Sequence, residues 1–552
     1  MKISGAQIVV EQLIANGATT VFGYPGGAVL ALYDELYKQS DRLEHILTAH
    51  EQGAVHAADG YARTNKRTGV VIATSGPGAT NLVTGIANAY LDSIPMVIVT
   101  GNVPLSIHGK DSFQEVDVIG ITGPIVKHSF VVRDIKDLEH TLNEAFRIAQ
   151  TGRRGPVLVD VPKSVQTDFC EYFWKPVHPV EPPVCPEFDA QAMADAIKNR
   201  KRPYIYAGGG VIASGASAEL LELSKKLSAP VGLSMMGLTA LPKDYPLNLG
   251  MCGMHGQYVS TTAAAESDLI IALGVRFSDR ATGNVDEYEK NKLIIHIDID
   301  NAEIGKNVTP GLSVCGDVRH VLAKLLPLIE KAENPEWLAR IETLKKAEVE
   351  QVFVNKDYNP RNIIETVCKF SSDETVVATD VGQHQMWALQ FYNFKTPGML
   401  LTSGGLGAMG FGMGAAVGAC FAGDKAKTVL FTGDGSFAMN LIELATAVTY
   451  KLPIVVILIN NGALGLPLQW QHTFFEDRDA YSRLDRKTDF PALAKAFGAH
   501  GHRADSVSEL EAILKDLPDD LPTVIDCQIE QSEMVFPMIP PGGSVKNIIL
   551  RG

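Results

Sequence analysis

Apolar runs of four to six residues recur along the chain, each closed by glycine, proline or polar residues and followed by helical spacing. Val70-Val71-Ile72-Ala73, Leu269-Ile270-Ile271-Ala272-Leu273 and Ile454-Val455-Val456-Ile457-Leu458-Ile459 are such runs. Runs this short and apolar throughout read as strands buried on both faces, and hairpin signals between them are missing. The pattern predicts an α/β protein whose parallel sheets are flanked by helices.

The stretch 1–165 sets the rhythm. Ser4 can cap a helix through Ala15, and the strand Thr20-Val21-Phe22-Gly23 ends at Tyr24-Pro25-Gly26-Gly27-Ala28. A linker rich in proline and aromatics follows, with Trp174, Pro176, Pro179, Pro182, Pro183 and Pro186. The alternation restarts over 187–330, with a helix expected from Ser214 to Leu227. A charged helical connector runs from Pro335 to Glu350, and a third stretch covers 357–530. The proline-rich tail, 531–552, is a poor core element and suits a lid that excludes water. With 552 residues the chain is too long for one hydrophobic core, which agrees with three domains.

The third stretch carries the sharpest signal. The strand Lys427 to Phe431 runs into Gly433-Asp434-Gly435-Ser436, a helix-like stretch spans Ala438 to Tyr450, and the next strand ends on Asn460-Asn461. Parallel sheets bind ligands at the carboxyl ends of their strands. An Asp and an Asn at two such ends, 27 positions apart, offer hard oxygen ligands to Mg²⁺, which is often shared with phosphate. Gly-Asp-Gly alone is a tight turn with a helix cap, and the Asn pair is what lifts it above that.

In the first stretch, His50 to Arg63 is a helix dense in small residues, suited to an interface or a cofactor wall. Glu51, taken alone, is a first-turn acid favouring the helix dipole. Thr74 to Asn81 is a Gly/Pro turn opening a helix, able to hold an anion or pack on a ring. In the middle stretch, Gly208-Gly209-Gly210 follows one strand, Gly274 to Arg280 follows another, and Leu293 to Asp300 ends in acids. Glycine turns, arginines and a strand-end acid suited to a ribose hydroxyl suggest a dinucleotide site.

Composition then narrows the class. The chain is 46% hydrophobic and 20% charged, ordinary for a globular enzyme. A formal charge of -14, from 49 basic and 63 acidic residues, argues against general nucleic-acid or anionic-membrane binding. No apolar run reaches the ~18 residues of a membrane span. The start, Met1-Lys2-Ile3-Ser4, enters a helix at once without a signal or transit peptide. Seven scattered cysteines without C-x-x-C read as free thiols in a reducing cytoplasm.

Along essentially its whole length the chain resembles the catalytic large subunit of acetohydroxyacid synthase (acetolactate synthase), a thiamine-diphosphate enzyme family. The matching stretches are Tyr24 to Gly27, His50 to Arg63, Thr74 to Asn81, Phe113-Gln114-Glu115, Gly253 to Gly256 and Gly274 to Arg280. His296 to Asn307, Val381 to Trp387, Leu401 to Gly407 and Gln469-Trp470-Gln471 complete them. The resemblance implies three α/β domains: one for the pyrimidine of thiamine diphosphate, a central one for FAD, and one for the diphosphate and Mg²⁺. It implies an active site between two chains, hence a homodimer or homotetramer, and a small regulatory subunit. The implied reaction decarboxylates pyruvate and ligates the two-carbon remainder to a second 2-oxoacid, pyruvate or 2-oxobutyrate. The products, 2-acetolactate or 2-aceto-2-hydroxybutyrate, belong to valine, leucine and isoleucine biosynthesis.

By the same resemblance Glu51 is the carboxyl that activates the cofactor through a ring nitrogen, a task a partly desolvated acid suits. Gln114, Lys163 and Trp470 take substrate positions. Asp434, Asn461 and the Ala463 carbonyl hold Mg²⁺, with Gly27, Gln383, His384, Gly407, Met409, Gly435 and Ser436 around thiamine diphosphate. Arg153, Gly208, Gly209, Gly210, Cys252, Gly253, Met254, His255, Gly274, Arg276, Asp298, Ile299, Asp317 and Val318 fall on flavin motifs. The FAD is expected to be structural, because no redox step is needed.

Four departures stand out. Ala463 replaces a His-like residue, Gly123 an Arg and Gly414 a Pro. In Leu464-Gly465-Leu466-Pro467-Leu468, Pro467 is expected to reshape the loop, since it lacks an N–H and biases its neighbour away from helix. The rival readings are another thiamine-diphosphate 2-oxoacid carboligase or decarboxylase, a flavin-free acetolactate synthase, a flavin oxidase, and an inactive scaffold. The turn 274–280 and Trp470 argue against the flavin-free form, and Glu51 with Asp434 and Asn461 against the scaffold.

Overall fold

The computed structural model describes residues 2–175, 177, 180, 183–352, 357–423 and 427–551. Pro176, Pro179 and Pro182 of the expected linker lie outside the described residues. Three six-stranded sheets, parallel in every pairing, carry the architecture. The first uses Thr20–Tyr24, Glu44–Leu47, Gly69–Ala73, Met96–Asn102, His128–Val131 and Pro156–Pro162. Numbered along the chain, these strands lie side by side in the order 2-1-3-4-6-5. The third sheet, Val376–Thr379, Leu400–Leu401, Thr428–Thr432, Ile454–Asn460, His500–Ala504 and Thr523–Gln528, has the same 2-1-3-4-6-5 order. Identical strand order makes the first and third units two copies of one topology.

The middle sheet differs. Pro203–Ala207, Val231–Leu233, Asn248–Met251, Leu269–Leu273, Leu293–Asp298 and Leu312–Cys315 lie in the order 3-2-1-4-5-6. That is the dinucleotide-binding order, with its ligand crevice at the reversal between strands 1 and 4. Here the reversal falls between Pro203–Ala207 and Leu269–Leu273.

Local signals explain most elements. Ser4 caps the helix Gly5–Ala15 by accepting from Gln7 N at 3.1 Å, and His50 caps Glu51–Asn65 through Nδ1. Two expected helices are broken. The stretch Ser214 to Leu227 divides at Gly215, whose φ of +68° ends Gly209–Ser214 before Ser217–Leu227 begins. The stretch Ala438 to Tyr450 is a helix, Asp434–Asn440, a tight turn, Leu441–Glu443, and a second helix, Leu444–Thr449. The turn aims Glu443 back at the first unit, where its carboxylate accepts from Ala49 N at 3.1 Å and His50 N at 3.0 Å.

The first and third units meet along the helices Glu51–Asn65 and Phe411–Phe421. A β-carbon on Gly60 would lie 2.2 Å from the Ala415 carbonyl oxygen. Gly414 is explained the same way, since its β-carbon would lie 2.8 Å from that of His56. Gly123 has open space around it instead. The tail packs inward: Val535 and Met538 are fully buried, and Ile539 N donates to Met254 O at 2.9 Å. The seven cysteines form no disulfide, and among the described residues no helix is long and apolar enough to cross a membrane.

Candidate active site

Thr428–Thr432 and Ile454–Asn460 are parallel neighbours, with Thr432 opposite Leu458. Asp434 and Asn460 therefore come level just past the two strand ends, and Asn461 follows. Asp434 is buried at the start of its helix. Burial pushes its carboxyl up to about 6, the Asp434 and Gly435 backbone N–H groups and the Arg486 charge oppose that rise, and Asp526 adds to it. Asn461 Nδ2 donates to Gln383 Oε1 at 3.0 Å, and its Oδ1 accepts from Ala463 N at 3.1 Å.

Pro467, expected to reshape this loop, adjoins the Asn461–Ala463 turn. It sits in the first turn of the helix Gly465–Phe474, where backbone N–H groups lack helical partners anyway. It stands four residues past Ala463 and offers no N–H to that carbonyl. Among the described residues nothing donates to the Ala463 oxygen, so it is free for a cation. No three His, Cys, Asp or Glu side chains gather as a metal site among the described residues. One carboxylate, one amide and one carbonyl suit a Mg²⁺ that takes its other oxygens from phosphate and water.

The neighbouring groups fit a phosphate. The His384 ring is fully enclosed, is pushed down to about 3 by burial, and has no partner on Nε2. A β-carbon on Gly433 would lie 2.7 Å from its Nδ1, so glycine lets the ring stand against the Gly433-Asp434 turn. A buried ring nitrogen without a partner is what an anionic oxygen would satisfy. Gln383 braces the site through Gln469 Oε1 at 3.1 Å. Beside Asn461 opens a cavity of about 570 Å³ whose lining includes Arg486, Lys487 and Arg503.

Met409 is half-buried, and a β-carbon on Gly435 would lie 3.9 Å from its Cε. Its turn is held by a residue that sequence reasoning missed. Asp380, fully enclosed, accepts from Gly410 N at 2.8 Å, Gly412 N at 3.2 Å and Thr432 Oγ1 at 3.1 Å. Ser436 Oγ accepts from the same Gly410 N at 3.2 Å, and Gly407 supplies the positive φ of +70° that opens the turn. The signal available was a lone acid at a strand end, Thr379-Asp380.

In the first unit, Gly27, Glu51 and Lys163 follow the carboxyl ends of Thr20–Tyr24, Glu44–Leu47 and Pro156–Pro162, and Gln114 lies in the loop after Met96–Asn102. Glu51 Oε2 accepts from Asn81 Nδ2 at 2.9 Å, while Oε1 carries no hydrogen bond among the described residues and faces Gly78. Gln114 is exposed and its backbone packs on Gly76; Lys163 is exposed directly after Pro156–Pro162. No hydrogen bond or ion pair among the described residues joins these four to Asp434 or Asn461.

The middle unit borders a cavity of about 1320 Å³, above the ~300–1,000 Å³ usual for small-ligand sites. Arg153, Gly209, Gly210, Cys252, Met254, His255, Gly274, Arg276, Asp298, Ile299, Asp317 and Val318 line it. Gly208 and Gly253 do not line it but make its turns possible: their β-carbons would lie 2.2 Å from Gly274 O and 2.5 Å from Arg280 O. Asp298 is pushed up to about 6 by burial, and His255 Nδ1 is buried without a partner. Arg153 crosses from the first unit to Glu303 Oε1 at 2.8 Å. Trp470 stands at the same cavity, 6.0 Å from the Arg280 guanidinium. A closed glycine turn at the reversal point, a strand-end acid and unpartnered polar atoms fit a dinucleotide.

Known proteins match the chain along nearly its whole length. The model for "thiamine pyrophosphate enzyme, N-terminal TPP binding domain" matches 3–121, that for the central domain 190–325, and that for the C-terminal TPP binding domain 380–527. The chain is 43% identical to the probable acetolactate synthase large subunit of Methanocaldococcus jannaschii, over 99% of this chain and 95% of that one. It is 43% identical to the acetolactate synthase isozyme 1 large subunit of Escherichia coli, over 98% and 97%. Against the acetolactate synthase large subunit of Lactococcus lactis the identity is 42%, over 98% and 95%.

Proposed function

The chain belongs to the acetolactate synthase large-subunit family of thiamine-diphosphate enzymes, and we propose how its residues divide the work. It is a carboligase that decarboxylates pyruvate and joins the two-carbon remainder to a second 2-oxoacid, pyruvate or 2-oxobutyrate. When bound, thiamine diphosphate supplies the carbanion chemistry by which this exchange occurs.

Asp434, Asn461 and the Ala463 carbonyl hold Mg²⁺, and His384, Gln383 and Ser436 receive the diphosphate. Met409, fixed by Asp380, props the cofactor, and Gly27, Gly407 and Gly435 leave room for it. Glu51 holds and returns a proton at the pyrimidine nitrogen through its free Oε1, with Asn81 keeping the carboxyl in place. Gln114 and Lys163 bind substrate, and Trp470 shapes the acceptor pocket. The middle unit holds FAD as a structural group along Gly208 to Gly210, Gly274, Arg276 and Asp298.

Glu51 and Asp434 belong to different clusters of one chain, which supports a site completed by a second copy, in a homodimer or homotetramer. Its relatives are named large subunits, which supports a small regulatory partner. We place the domains at 1–165, 187–330 and 357–530, the tail as a cap, and the enzyme in the cytoplasm.

The observation that carries this reading is the pair of neighbouring parallel strands followed by Asp434 and Asn461 beside the unpartnered His384 Nε2. The test is product analysis with Mg²⁺, thiamine diphosphate and FAD, using pyruvate alone and pyruvate with 2-oxobutyrate. Acetohydroxy acids are expected from both mixtures. Release of CO₂ without either acid would contradict the reading.

A further inference from the structure

We propose that Asp92 is a positioning residue that couples the dinucleotide cavity to the thiamine-diphosphate site. The inference rests on the cofactor reading above and adds a linkage between the two groups. Asp92 ends the helix Val83–Asp92, and its side chain is fully buried. Its Oδ1 accepts from Gly405 N at 2.7 Å, and its Oδ2 from Gly404 N at 3.1 Å and Arg63 Nη2 at 3.0 Å. Arg63 also donates to the Thr402 carbonyl at 3.0 Å. Ser403 Oγ donates to Asn88 Oδ1 at 2.5 Å and accepts from Ala408 N at 2.8 Å. Every residue from 402 to 405 is thus fastened to the first unit.

Asp92, Arg63, Gly404 and Gly405 all line the 1320 Å³ cavity. The same chain segment then delivers Met409 to Gly435 and Gly410 to Asp380. A dinucleotide filling the cavity would contact the 404–405 turn that lines it and hold it in this position. That restriction carries along a short, doubly anchored segment to the Met409 turn. Two ligands that order one segment favour each other by the same factor in both directions. FAD without a redox task thereby acquires a thermodynamic one.

The test uses the full chain stripped of flavin. Affinity for thiamine diphosphate with Mg²⁺ is read by tryptophan fluorescence, with and without saturating FAD. In the wild type FAD is expected to tighten binding about tenfold, within the usual range of coupled sites. In Asp92→Asn the ratio is expected to fall toward one while both ligands still bind. A purely structural role would shift both affinities together and keep the ratio; that result overturns the proposal, as does a wild-type ratio of one. If Asp92→Asn does not fold, Ser403→Ala, which cuts the Asn88 contact of the same segment and leaves the Arg63 ion pairs with Asp59 and Asp92 in place, decides by the same ratio. A chain that takes up no FAD overturns the flavin reading itself, whereas FAD binding without coupling removes only this inference.

Discussion

Gly418 and Ala57 meet backbone to backbone: a β-carbon on Gly418 would lie 1.8 Å from the Ala57 carbonyl oxygen. This contact lies in the seam that carries the Glu51 helix against the third unit. The neighbouring oxygen is backbone and cannot swing away, so Gly418→Ala must push the helices apart. Despite the better helix propensity of alanine, a loss of about 1–3 kcal/mol is expected, read as a lower denaturation midpoint. An unchanged midpoint would mean the helices are not closely packed.

Asp380→Asn tests the fastening of the Met409 turn. Asparagine keeps one acceptor but turns an NH₂ toward N–H and O–H donors that the carboxylate now receives. The mismatch of about 1–3 kcal/mol predicts a 10- to 100-fold weaker grip on thiamine diphosphate. FAD affinity measured on the same protein should change far less. Unaltered thiamine-diphosphate binding would show that the turn does not depend on Asp380.

Glu348 gives a pH prediction. It lies in the connector helix Pro335–Gln351 and accepts from Tyr258 N at 2.5 Å, at the start of Tyr258–Glu266. Burial pushes its carboxyl from 4.5 to about 7, against the opposing pull of the Tyr258 and Val259 N–H groups and the Lys243 charge. Between those values the folded chain keeps a proton that the unfolded chain releases, so this residue lowers stability as pH rises from about 4.5 to 7. Above that window the penalty is at most about 3 kcal/mol. Glu348→Gln removes it, and the variant's advantage in unfolding midpoint should grow from pH 4.5 to pH 8. A gap independent of pH would contradict the burial argument.

The sheets were legible in the sequence because strands buried on both faces are apolar throughout, as in Val429 to Phe431 and Ile454 to Ile459. Asp434 and Asn461 were legible because polar residues closing such runs stand at the ligand-binding edge. What escaped was long-range. Asp380 receives donors 30, 32 and 52 positions away, and Glu443 caps a helix start 393 positions away; local patterns hold no trace of either. Glu443 also explains why the stretch after Asn440 tightens where helical spacing continues. The effect of Pro467 depends on where the helix begins, and a start at Gly465 puts it in the first turn, where its missing N–H removes no helical bond. The clamp of Arg63 and Asp92 joins charges on two helices, 29 positions apart, a pairing that local patterns do not show.

The most direct test of the central claim is the rate of acetohydroxy acid formation from pyruvate by Glu51→Gln, saturated with thiamine diphosphate, Mg²⁺ and FAD. Glutamine keeps the shape and the Asn81 contact but cannot exchange the proton. The account predicts a rate about 10²- to 10⁴-fold lower, with the unfolding midpoint and cofactor affinity little changed. A variant that formed product at the wild-type rate would contradict it.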